Sequence, residues 1–201
     1  MNDPLERRLA SAAAALDPPA HDPDRLLRDA RQAGLLDVAY ATADSPIGDL
    51  LLASTERGLV MISYLDHFPL DATLGELSAR LSPRVIEDPT ALDDARRQLD
   101  EYFERRRREF DLTLDWSLVG PFGRRVLGRT ARIPSGEVAT YGTVAREIGS
   151  PRAARATGNA LGANPMPIVV PCHRVVRSGG KIGHYTGGAE RKVRLLELEG
   201  R

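Results

Sequence analysis

Three prolines stand within seven residues, Pro165, Pro167 and Pro171, inside an apolar stretch that runs into Cys172-His173-Arg174. Proline donates no backbone hydrogen bond and disfavours helix in the residue before it, so no helix or central strand continues through such a stretch. An extended segment is predicted there, and it delivers Cys172, the single cysteine among 201 residues. One cysteine excludes an intramolecular disulfide and a cysteine-rich zinc site, so no metal is expected. A reducing compartment is expected for the same reason. At this length one large domain or two small ones can bury an adequate core without cross-links.

The periodicity changes along the chain. Residues 5–16 and 24–36 read as helices separated by Pro18, Pro19 and Pro23, so residues 1–37 are taken as a helical extension. From Val38 the runs Val38–Ala43, Gly48–Ser54 and Gly58–Leu65 are short and rich in strand formers, with turn residues between them. Short turns between consecutive strands predict an antiparallel meander. Helices are predicted over Leu70–Leu81 and Thr90–Arg108; in the second, Arg105–Arg108 suits the negative end of the helix dipole. Residues 115–120 mark a junction between one domain over 38–115 and another over 116–201. The second is mainly helical, with Phe122–Arg132, Tyr141–Ile148, Arg152–Leu161 and Ala189–Leu198, the last ended by Gly200. Helices 141–148 and 152–161, joined across Gly149-Ser150-Pro151, have the helix-turn-helix pattern. Ser178-Gly179-Gly180-Lys181 reads as a hairpin turn. The fold class is α+β.

The formal net charge is zero, with 28 basic against 28 acidic residues, which at first disfavours a nucleic-acid partner. The charge is divided unevenly. Met1–Ser117 holds 14 Arg against 23 Asp and Glu, a balance of −9, while Leu118–Arg201 has 14 Lys and Arg against 5 Glu, a balance of +9. The basic half suits a polyanion, or the two halves attract each other, and composition leaves both open. The amino terminus lacks the apolar core of a signal peptide and no apolar run approaches the ~20 residues of a membrane span, so a cytoplasmic, soluble protein is expected.

A lone cysteine in an apolar run is usually a small buried hydrophobe. Here His173 and Arg174 follow it, polar and cationic groups able to stabilise a thiolate. Neighbours on a strand point to opposite faces, so Cys172 and His173 share one site only if Cys172 begins a turn or short helix. A Cys–His pair needs a third group to orient the imidazole. Glu199 is a candidate, because a carboxylate in the last turn of a helix is disfavoured by the dipole; an exposed terminal Glu fits the residue type equally well. In Arg152–Gly162 one face holds Ala, Gly and two arginines. Close helix packing and approach to a nucleic-acid groove both account for it.

Pro171-Cys172-His173-Arg174-Val175, preceded by Asn164-Pro165-Met166-Pro167, resembles the active-site signature of the O6-alkylguanine-DNA alkyltransferases, the methylated-DNA–protein-cysteine methyltransferases. Pro134–Gly142, the Arg155 helix, Gly183–Gly188, Leu195–Gly200 and Ser45-Pro46-Ile47-Gly48 fit in order, so the resemblance covers Val38 to Arg201. It implies a ribonuclease H-like first domain and a winged helix-turn-helix second domain. It also implies single-turnover transfer of an alkyl group from O6-alkylguanine, and from O4-alkylthymine, in double-stranded DNA to Cys172, with no cofactor. By the same resemblance His173, oriented by Glu199, takes the thiol proton through a water, Tyr141 assists the departing guanine, and Asn164 organises the loop. Arg155 fills the gap left by the flipped base; Pro167, Gly183, Tyr185 and Thr186 line the pocket, and the carbonyls of Cys172 and Val175 accept from the guanine amine. A monomer is the simplest reading. His184 stands where many relatives have Asn. Two other classes compete: a non-catalytic sensor of alkylated DNA, against which Cys172 argues, and a Cys–His–Glu hydrolase of small acyl compounds.

Overall fold

Strand β2, Leu50–Thr55, sits inside a four-stranded sheet of order β3-β2-β1-β4, with β1 at Val38–Ala43, β3 at Gly58–Tyr64 and β4 at Val85–Glu87. The computed structural model describes Arg25, Asp29, Ala30 and residues 33–201. The helix expected over 5–16 lies outside the described residues, as do six of the thirteen residues of that over 24–36; of the others Arg25, Asp29 and Ala30 are helical, whereas 33 and 34 form a turn and 35 and 36 are not helical. Residues 37–201 form one compact unit.

The sheet is covered on both faces, which is why β2 reads as an unbroken apolar run instead of alternating with polar residues. Leu50 and Leu52 point into the larger core and Leu51 and Ala53 into a smaller one with Val38 and Leu77. A bulge opposite Ala53 and Ser54 turns Val60 and Met61 of β3 to the same face, so that Leu59 and Ile62 both reach the larger core. Pairing of β1 with β2 and of β2 with β3 is antiparallel, as the short turns require. The sequence did not disclose β4, which joins parallel to β1 after helix α1, Leu70–Arg80, has crossed over. A 3₁₀ turn, Pro89–Leu92, then leads into α2, Asp93–Phe103. That helix stops before the arginine run, because Arg105 takes a left-handed φ of 61°. Arg105–Arg108 are therefore in the turn beyond it, not at its dipole end.

The helical half begins with α3, Pro121–Thr130, whose proline occupies the first turn, where the missing N–H costs nothing. Helix α4, Tyr141–Glu147, is capped by Thr140, whose hydroxyl accepts from Thr143 N–H at 3.1 Å. Gly149, at φ 71°, ends it with Ser150 N–H bonding back to Ala145 O at 2.8 Å. Helix α5 then runs Ala154–Gly162, starting two residues later than the sequence suggested because Ala153 N–H still closes a turn onto Ser150 O. Helix α6, Ala189–Leu198, is ended by Gly200 at φ 85°. Two-residue strands β5, Ala139–Thr140, and β6, Val175–Val176, pair in parallel. The predicted hairpin at 178–181 is instead a 3₁₀ turn over Ser178–Gly180 closed by Arg177 N–H to Lys181 O, with no strand pairing beyond it. The larger core runs unbroken from Leu50 and Tyr102 to Val126, Met166 and Leu195, so the sheet half and helical half share it.

Candidate active site

The proline segment is not extended. It coils through successive turns, with Val169 N–H to Pro167 O at 3.0 Å, Val170 N–H to Met166 O at 2.8 Å and Cys172 N–H to Val170 O at 2.8 Å. Buried Asn164 supplies what the prolines cannot: its Oδ1 accepts from Met166 N–H at 3.0 Å and its Nδ2 donates to Val170 O at 2.8 Å. Ile168, buried and β-branched, is held at φ 74°, a conformation costing about 1–3 kcal/mol that persists because its surroundings over-determine it. The Pro165 carbonyl accepts from Ile62 N–H at 2.7 Å, fastening the segment to β3.

Cys172 begins a 3₁₀ turn, Cys172–Arg174, so it and His173 leave the backbone on adjoining sides of one turn. The thiol is 3% exposed and takes a hydrogen bond from Asn164 Nδ2 at 3.2 Å. Burial pushes it up to about 11, against the opposing pull of Asn164 and of the Lys192 ammonium. The resting group is thus a neutral thiol, where the sequence argued for a stabilised thiolate. Arg174 accounts for part of the difference: its guanidinium turns to Glu199, at 3.0 Å and 2.7 Å, and to Ile133 O at 2.5 Å.

Glu199 is 1% exposed in its side chain and reaches His173 Nε2 at 3.0 Å. Burial raises its carboxyl, but hydrogen bonds from His173 and Arg174 outweigh this and hold it at about 2. An ionised carboxylate only accepts, so Nε2 carries the hydrogen and Nδ1 keeps its lone pair. Nδ1 is buried with no hydrogen-bond partner among the described residues. Burial also lowers His173, the carboxylate of Glu199 resisting, and the ring is neutral near pH 7.

The remaining predicted residues surround this centre. Tyr141, first in α4, directs its hydroxyl to His184 O at 3.4 Å, and burial keeps the phenol protonated. Gly183 passes so close to the Tyr141 ring that any Cβ there would collide with it. Thr186 Oγ1 donates to Gly162 O at 2.8 Å. Tyr185 is buried, with its ring edge-on to His173 at 6.4 Å and its hydroxyl 2.7 Å from that of Tyr64. Pro167 and Val175 are buried, while Arg155 in the first turn of α5 and His184 are exposed. The Cys172 carbonyl already accepts from Val175 N–H, and the Val175 carbonyl from Lys192 Nζ at 2.5 Å. At Gly158 and Gly162 a Cβ would make ordinary contacts of 3.7 and 3.8 Å with Tyr141 and His184, so packing alone does not demand glycine in α5.

Sequence reasoning missed Lys192, Tyr102 and Tyr64. Lys192 had a signal: it shares the buried stripe of α6 with Leu195 and Leu196, where a lysine is out of place. Burial lowers it to about 8, the Cys172 thiol opposing that fall. Among the described residues no group of His, Cys, Asp and Glu could hold a metal ion.

Residues 38–116 match the family model described as 6-O-methylguanine DNA methyltransferase, ribonuclease-like domain, and residues 121–201 that family's DNA binding domain. The chain belongs to the 6-O-methylguanine DNA methyltransferase family. Among relatives of this methyltransferase, the methylated-DNA–protein-cysteine methyltransferase of Mycolicibacterium paratuberculosis is 43% identical over 165 residues, 82% of this chain and 93% of that one. That of Methanosarcina acetivorans is 37% identical, covering 80% of this chain and 97% of its own. The crystal structure of Mycobacterium tuberculosis OGT in complex with DNA superposes with a TM-score of 0.69 at 42% identity, covering 80% of this chain and 92% of that one. The methyltransferase has no helix among its described residues long and apolar enough to cross a membrane.

Proposed function

We propose that the chain repairs DNA by transferring the alkyl group of O6-alkylguanine, and of O4-alkylthymine, to its own Cys172, once per molecule and without a cofactor. The observation that carries the reading is the buried thiol held by Asn164 beside a histidine whose tautomer is set by an ionised Glu199. A water bridging His173 Nδ1 and Sγ passes the thiol proton to the imidazole. The sulfur electron pair forms the S–C bond as C–O6 breaks, and the C–O6 pair stays on the guanine. Tyr141, kept protonated, donates a hydrogen bond towards the guanine ring and so stabilises the leaving group. The product is a thioether at Cys172, which has no route back to the thiol, so the protein acts stoichiometrically.

The lesion atom lies inside the duplex, so the nucleotide leaves the stack, at a cost of a few kcal/mol. Exposed Arg155 at the start of α5 fills the vacated position, where a guanidinium stacks and stays hydrated at its edge. Pro167, Gly183, Tyr185 and Thr186 bound the guanine pocket, and the second lone pairs of the Cys172 and Val175 carbonyls accept from its amine. Residues 38–115 serve as scaffold and 116–201 as the DNA-binding and alkyl-acceptor domain of a cytoplasmic monomer. Incubation with a duplex bearing O6-methylguanine should add one methyl per chain to the Cys172 peptide, read by mass, and none in Cys172→Ala. Turnover of a small ester by unmodified protein, with no methyl uptake, would overturn the reading in favour of a hydrolase.

A further inference from the structure

We infer that Tyr102, supplied by α2 of the sheet half, is a positioning residue of the alkyl-acceptor site: its phenol fixes the Glu199 carboxylate that orients His173. The inference rests on the proposed roles of His173 and Glu199. Tyr102 lies 97 residues before Glu199 and donates its hydroxyl to Glu199 Oε1 at 2.7 Å. That oxygen also receives His173 Nε2 at 3.0 Å, Arg174 Nη2 at 2.7 Å and, more weakly, Arg174 Nε at 3.2 Å, so three residues compete for it. The other oxygen takes Arg174 Nε at 3.0 Å and Gly136 N–H at 3.4 Å.

The Tyr102 ring cannot drift from this position. It is buried and packs edge-on to Phe103 at 5.5 Å and obliquely on Phe110 at 5.3 Å. Burial and the adjoining Glu199 carboxylate both push its hydroxyl far above the usual tyrosine range, so it remains a donor at every working pH. A permanent third donor draws electron density from Oε1 and weakens its pull on the imidazole. Among the described residues, the charged and titratable groups facing the His173–Glu199 pair are Arg174 and Cys172 from the same turn, Lys192 of α6, Tyr185 beside the ring, and from the sheet half Tyr102 and Arg105, Arg107 and Arg108, which line a cavity with Glu199. Of the described residues in the sheet half, Tyr102 alone hydrogen-bonds the Glu199 carboxylate. The first domain then does more than support the second: it sets how basic the histidine is.

The test follows single-turnover methyl transfer from an O6-methylguanine duplex to the full chain as a function of pH. Tyr102→Phe keeps the ring and removes the donor, so Glu199 holds the imidazole proton more firmly. The acid limb of the rate profile should move to higher pH by about half a unit to one unit. Site-specific fluorotyrosine at 102 keeps the shape and strengthens the donor, and should move the limb the opposite way. Ala95→Gly, on the same helix and remote from Glu199, should lower stability and leave the limb in place. In a Glu199→Gln background Tyr102→Phe should have no further effect on the profile. If Glu199→Gln slows transfer but neither Tyr102 change moves the limb, Tyr102 is packing only and this inference fails. If Glu199→Gln leaves transfer unchanged, the catalytic reading of Glu199 fails instead.

Discussion

Asn164 makes three hydrogen bonds from one side chain, to Met166 N–H, Val170 O and Cys172 Sγ, in a segment whose prolines leave the backbone short of donors. Asn164→Ala strands the buried Met166 N–H, while Val170 O keeps its bond from Cys172 N–H, and unfolding in denaturant should report a loss of roughly 1–3 kcal/mol. The pH behaviour follows from the same few residues. Burial holds His173 below its ordinary 6.5, so the neutral base persists as pH drops through that value. The transfer rate should therefore stay level there and decline only at lower pH, in single-turnover assays. Glu199 ionises at about 2 in the folded chain against an ordinary 4.5, so its stabilisation is complete above pH 4.5 and disappears as pH falls towards 2. Glu199→Gln should flatten acid destabilisation across that window, seen by thermal unfolding, and slow alkyl transfer on the order of 100-fold or more. Cys172, His173 and Glu199 were legible because the first two adjoin in a motif and the third is a carboxylate at a helix end that repels it. Tyr102 and Tyr64 were not, since their partners lie 97 and 121 residues away and no local pattern encodes that distance.

The helices and strands were readable where one face of an element is apolar, and misread where a side chain or loop substitutes for backbone pairing. The proline stretch lacks the ordinary donors, which suggested extension, yet Asn164 closes it into turns. Strand β4 has three residues, too few for a period to declare itself, and only its pairing with β1 defines it. Helix α2 looked longer because Arg105 is a good helix former whose left-handed backbone is set by context. At α5 the proposed insertion of Arg155 carries a prediction. Arg155→Ala should slow repair of a lesion in duplex DNA about tenfold, some ~1.4 kcal/mol, because the vacated stack is left unfilled. Repair in single-stranded DNA, where no partner strand needs support, should be nearly unaffected. Equal rates on duplex DNA for the variant and the parent would rule out insertion.

Across the whole molecule, zero net charge conceals a division that the fold keeps. Residues 37–117 hold 17 Asp and Glu against 9 Arg, whereas residues 118–201, the half matched by the DNA binding domain, hold 14 Lys and Arg against 5 Glu. DNA affinity should weaken as salt rises despite the neutral total, and removing exposed Arg152 should reduce the slope of log affinity against log salt by about 1 if it contacts phosphate. Binding titrations at several salt concentrations check both. The shared core gives this charge division a further consequence. Because the two halves are packed as one body, the −8 of residues 37–117 and the +9 of residues 118–201 are fixed in relation to each other. Such a body carries a permanent electric dipole. In the field of a polyanion it feels little net pull but a definite torque, so it rotates basic side first before contact, and fewer collisions are spent on the wrong face.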